Sequence, residues 1–156
     1  EPPSHAWLGW TSAGLGTLLA GTLLFMLAKR RRRGPSPADW ALGSIADLEA
    51  ISIENETDAG AVINEVVDIV REFFELQYNI PGLSITSRQF KAQAAKQAGL
   101  TGPAQEALAW LVSLADEIKF ARFDVGAQQS RQAIERSKAL IEECQRRRQA
   151  SETGAA

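Results

Sequence analysis

Two hydrophobic patterns divide the chain. The first is unbroken: from Ala6 to Leu27 the stretch AWLGWTSAGLGTLLAGTLLFML carries no charged residue over 22 positions. A helix of that length rises about 33 Å, enough to cross a hydrocarbon core of about 30 Å. The second pattern is periodic and begins after the breaker Gly34-Pro35-Ser36-Pro37. Ser36, Pro37 and Asp39 have the form of a helix start, and predict a helix from about Pro37 to Ile51 with Trp40, Ile45, Leu48 and Ile51 as its apolar positions. From Ala59 to Gln77 the residues Val62, Val66, Ile69, Val70, Phe73 and Leu76 recur at steps of three and four, widened by Ile63, Val67 and Phe74. That broad apolar stripe predicts a central amphipathic helix, stopped by Asn79 and Pro81-Gly82.

Two more starts follow. Thr86 with Gln89 has capping-box spacing and opens a helix to about Ala98, where Gly99 suits the position after the last turn. Thr101 is expected to cap the next, which runs to about Ile118 with Leu108, Leu111, Val112, Ala115 and Ile118 inward and Trp110 and Leu114 beside them. Lys119-Phe120-Ala121-Arg122-Phe123 then reads as a connector. A last helix, Ala127 to Arg148, has a thinner apolar face of Ala127, Ile134, Ile141 and Cys144, which predicts an outer layer. No strand-like alternation appears. The expected fold class is therefore all-α: a single N-terminal transmembrane helix followed by a small cytoplasmic helical domain of about five helices. Its boundaries are an outer remnant at 1–5, the span at 6–28, a basic stop and linker at 29–36, the helical domain at 37–149 and a flexible tail at 150–156.

Charge orients that arrangement. Lys29, Arg30, Arg31, Arg32 and Arg33 follow the apolar run directly, and five cations at one end of a span bias that end toward the cytoplasm. Trp7 and Trp10 stand at the other end, where amphipathic rings favour the headgroup region. A secretory signal peptide has the reverse order of charge and a shorter apolar core. The expected arrangement is a membrane crossed once, with lipid as a partner and the C-terminal part facing the cytoplasm. Within the span Gly9, Ala13, Thr17 and Gly21 lie four apart, so they share one side and form a candidate helix-packing face. Beyond the cations the chain holds 12 basic and 18 acidic residues, a net of −6, which argues against a nucleic-acid partner.

The search for chemistry is negative. There is one cysteine and one histidine, so neither a disulfide within the chain nor a thiolate–imidazole zinc cluster is possible. No phosphate loop, nucleophile elbow or metalloprotease helix occurs. His5 and Cys144 are expected on opposite sides of the membrane, and Cys144 reads as a small buried residue. Glu142-Glu143 and Asp116-Glu117 are adjacent pairs, which do not face one another on a helix. No catalytic, cofactor or metal residue is predicted. Arg146-Arg147-Arg148 complements a helix C-terminus or meets an acidic surface. In the Lys119–Phe123 stretch, cations alternate with apolar residues, whereas a plain connector carries turn formers. Either Phe120 and Phe123 anchor the last helix to the core, or Lys119 and Arg122 form a docking patch.

The order of features also carries a resemblance. Tyr78-Asn79-Ile80-Pro81, Thr86-Ser87-Arg88-Gln89-Phe90 and Ala115-Asp116-Glu117-Ile118-Lys119-Phe120-Ala121-Arg122, set after a Trp-flanked span and a basic stop, resemble the membrane-anchored helical segment of bacterial BatD-like (aerotolerance operon) proteins and the short membrane proteins encoded beside them. The resemblance covers roughly Trp7 to Cys144. Asn79 stands where that family carries glycine, and Gln89 where it carries an acidic residue. No β-rich outer domain precedes the span, as in the short relatives or a processed chain. The resemblance implies a non-enzymatic scaffold or adaptor that acts with a MoxR-type AAA+ ATPase and von Willebrand A-domain proteins. The alternative is a membrane-tethered regulatory or signalling adaptor.

Overall fold

The computed structural model describes residues 34–54, 58–121 and 125–154. The expected span at 6–28, its face of Gly9, Ala13, Thr17 and Gly21, the cations Lys29 to Arg33, and Arg122 lie outside them. Among the described residues no helix is long and apolar enough to cross a membrane. Five helices and no strand make up this region, as the periodicity predicts: α1 (Pro37–Glu54), α2 (Ala59–Tyr78), α3 (Ser87–Gln97), α4 (Pro103–Ala121) and α5 (Ala127–Gly154).

The broad stripe makes α2 the hub. It packs against the other four helices, and Val62, Ile63, Val66, Val67, Ile69, Val70, Phe73 and Phe74 are all buried. Leu76 is the exception, 56% exposed. Asp58 caps the start by accepting the Gly60 N–H at 3.3 Å. Asn79 ends the helix in the left-handed region (φ 56°), which asparagine tolerates, and its N–H donates to Glu75 O at 2.9 Å. Around this terminus the rings of Phe73, Phe74, Tyr78 and Phe90 meet edge to face or stacked, with centroids 5.3–6.2 Å apart. Such pairs add to the stabilisation from area burial alone.

Four expectations about the elements change. On α1 the buried side chains are Ala38, Ala41 and Ile45, while Trp40 and Leu48 are half-buried and Ile51 is exposed. Small residues let α1 sit close to its neighbours, and the larger ones ride the edge. Second, α5 is not an outer layer. It packs against α1, α2 and α4 through Ser130, Ala133, Ile134, Ser137, Leu140, Ile141 and Cys144, whereas Ala127 is exposed. Alanine and serine fill a face that a count of large apolar residues misses. Third, α5 continues past Arg148 to Gly154, so the expected flexible tail is helical that far. The Arg148–Glu152 pair at 3.0 Å and side-chain bonds from Ser151 and Thr153 to carbonyls one turn back hold the extension. Fourth, Thr101 does not begin α4. Pro103 is its first residue, and the Thr101 hydroxyl accepts from Arg147 Nη2 at 3.2 Å instead.

That bond belongs to a set that fixes α5 on the bundle. Arg147 Nη1 donates to Gly99 O at 2.8 Å and its Nε to Glu143 at 2.7 Å. Arg146 also pairs with Glu143, whose carboxyl is held below its usual range chiefly by the hydrogen bond from Arg147. The Arg136 guanidinium lies 4.3 Å from the Trp110 ring centre, and Lys138 pairs with Glu49. Arg147 therefore ties α5 to the 99–101 turn, while Arg146 and Arg148 pair along their own helix and stay more than half exposed; the helix C-terminus lies six residues beyond the run.

Candidate docking groove

The chain bends sharply between α2 and α3, and the bend builds a site. Gly82 N–H donates to Ile80 O at 2.6 Å across Pro81, and Ser84 N–H to Pro81 O at 3.0 Å. Ile80 is fully buried, which pins the turn to the core. Gly82 is required there: a Cβ would stand 2.6 Å from the carbonyl oxygen of Arg71. That close approach lets Arg71 Nη1 donate to Gly82 O at 2.9 Å. Its Nη2 donates to Ser87 Oγ at 2.8 Å, and the Ser87 hydroxyl donates in turn to Asp116 Oδ1 at 2.9 Å. The guanidinium also lies 5.1 Å from the centre of the Phe90 ring. One cation thus ties α2, the 82–86 turn, the start of α3 and the end of α4.

The start of α3 is built as its sequence predicts. Thr86 Oγ1 accepts the Gln89 N–H at 3.3 Å and Gln89 Oε1 accepts the Thr86 N–H at 3.1 Å, a complete capping box. The end of α4 departs from expectation. The helix runs through Lys119 and Phe120 to Ala121, so these residues are not a connector. Nor does Phe120 anchor the core: it is 83% exposed. Helical continuation carries its side chain off the buried face of Leu111, Leu114, Ala115 and Ile118.

Between these elements lies a groove of about 500 Å³, with Asp68, Arg71, Ser87 and Asp116 in its lining and Leu83, Arg88, Lys119 and Phe120 exposed along it. Leu83 is 58% exposed. Large exposed apolar residues among the described ones are Ile51, Leu76, Leu83 and Phe120, and two of the four share this groove. Lys119, half of the predicted patch, is on its rim. Thr86, Ser87 and Arg88 from the start of α3 and Asp116, Lys119 and Phe120 from α4 supply most of its lining. Sequence reasoning missed Arg71, Gly82, Ser87 and Asp116. The available signal was that Arg71 is the one cation of α2, a helix with four carboxylates, yet it sits between the buried Val70 and Phe73.

The arrangement suits binding. Both the proton and an acceptor site of the Ser87 hydroxyl are engaged, by Asp116 and Arg71, which makes it a strut. Among the described residues no cluster of histidine, cysteine and carboxylates could hold a metal ion. Elsewhere, Cys144 is buried beside Tyr78, and burial pushes its thiol up to about 11, so it is a poor nucleophile. A second, smaller hollow of about 300 Å³ between α4 and α5 is lined by Ala104, Ala107, Leu140 and the committed Arg146 and Arg147. Compared with known families, curated proteins and solved structures, the chain matches none.

Proposed function

We propose that this chain is a single-pass membrane-anchored adaptor whose helical domain docks a partner protein through the groove between α2, α3 and α4. The observation that carries the docking role is Phe120: a phenylalanine 83% exposed, lining one groove with the exposed Leu83 and with the cations Arg88 and Lys119. Apolar surface stabilises a complex by about 25 cal/mol per Å² removed from water, and aromatic and arginine side chains are enriched at interface hot spots. The apolar run at 6–28 and the cations Lys29 to Arg33 support the anchor and a cytoplasmic placement of the domain at the bacterial inner membrane. The resemblance to BatD-like proteins supports a role as accessory to a MoxR-type ATPase and von Willebrand A-domain system.

Site-specific photo-crosslinking in intact membranes tests the docking role. A photoreactive residue at Phe120 is expected to capture a discrete protein, and one at Gln132, exposed on α5, is not. Equal capture from both positions, or none from Phe120, refutes it.

A further inference from the structure

The chemistry of the groove narrows its occupant. Leu83 reaches it from the turn and Phe120 from the end of α4, so an apolar side chain entering the groove meets both. Charge decides the flanks. Arg71 is committed to Gly82 and Ser87, and Asp116 to the Ser87 hydroxyl. Arg88 and Lys119 hold no ion pair among the described residues, and with Arg71 they set three cations against the two carboxylates of Asp68 and Asp116. This local excess of positive charge stands on a domain of 12 basic and 18 acidic residues. An extended polyanion, whether an anionic bilayer or a nucleic acid, meets that wider negative field. A short segment lying in a concave site feels mainly the charges within about 8 Å, the screening distance at physiological salt.

We propose that the groove binds a short acidic segment of a partner protein, seating one large apolar side chain between Leu83 and Phe120 while carboxylates on either side pair with Arg88 and Lys119. It rests on the docking function above and specifies the partner's chemistry. The carboxylates of Asp68 and Asp116 are in the same lining and discriminate against denser negative charge, so carboxylates are accepted only beside the apolar anchor.

Fluorescence anisotropy on the detergent-solubilised full chain tests it, with a labelled peptide of glutamate and serine around one central phenylalanine. Two peptide controls have serine for the phenylalanine or lysine for every glutamate. The serine control also reads any background attraction to Lys29–Arg33. Both controls are expected to bind at least about tenfold more weakly. The Arg88→Glu/Lys119→Glu double variant and Phe120→Ser should each weaken the parent peptide by about tenfold or more, with the thermal melt unchanged. Equal binding of the lysine peptide, or an unchanged affinity in the double variant, overturns the proposal. So does displacement of the peptide by phosphatidylglycerol added to the micelles, which assigns the surface to lipid headgroups. Absent peptide binding with crosslinking at Phe120 intact rejects the acidic occupant and leaves the docking function standing; loss of both rejects both.

Discussion

Single residues in this domain are decided by what surrounds them. Cys144 sits fully buried beside the half-buried Tyr78, and burial holds both protons on. The thiol rises from an ordinary 9.0 to about 11, and the phenol is raised as well. The sign of the pH effect follows. Between pH 9 and 11 the unfolded chain releases the thiol proton while the folded chain keeps it, so stability is intact below pH 9 and falls as pH rises through that window. Urea melts from pH 8 upward are expected to show that fall. Cys144→Ala should lower stability at pH 8 through the cavity it leaves, and remove the slope between pH 9 and 10, below the ordinary range of the Tyr78 phenol, which adds its own loss above it. A variant with the wild-type slope would mean that another group drives the alkaline loss.

Elements are decided by their ends and by their neighbours. The Thr86–Gln89 capping box fixes where α3 begins, and so places Ser87 within reach of Arg71 and Asp116. Thr86→Ala removes the acceptor for the Gln89 N–H and should cost about 0.5–2 kcal/mol, the range for losing such a cap. Gln89→Ala removes only the reciprocal half and should cost less. Chemical denaturation of the two variants compares them; an equal or larger cost for Gln89→Ala would show that the box is not what secures the start. The far end of α4 follows a different rule. No breaker interrupts Ile118-Lys119-Phe120-Ala121, so the helix continues and turns Phe120 away from the core.

At the scale of the whole molecule, charge separates into a cationic block and an acidic domain. Five of the 17 basic residues lie in Lys29–Arg33, and the rest of the chain beyond them is at −6 from 12 basic and 18 acidic residues. The proposed anchor therefore predicts that a reporter fused after Ala156 works as a cytoplasmic protein. Alkaline phosphatase, which is active only outside the cytoplasm, should be inactive at that position and active when fused ahead of Ala6. The reverse pattern would invert the orientation and place the groove on the other face of the membrane.

Local chemistry was legible in the sequence at most places where the signal is local, Thr101 and the Lys119–Ala121 end of α4 being the exceptions. The stripe of α2, the left-handed Asn79, the Gly99 turn and the Thr86–Gln89 box depend on residues within a few positions of one another, and each is built as its spacing predicts. The class, all-α with five helices among the described residues, follows from the same periodicity. What needed the tertiary structure was every property set by a distant neighbour. Ser130, Ala133 and Ser137 look weak on α5, yet three helices close over them. Phe120 looks like core, yet nothing packs over it. Arg71, Ser87 and Asp116 are 16 and 29 residues apart in successive steps, and no spacing rule relates them. Burial and long-range pairing depend on how the helices stack, and the groove exists only because Gly82 lets the turn approach the backbone of Arg71.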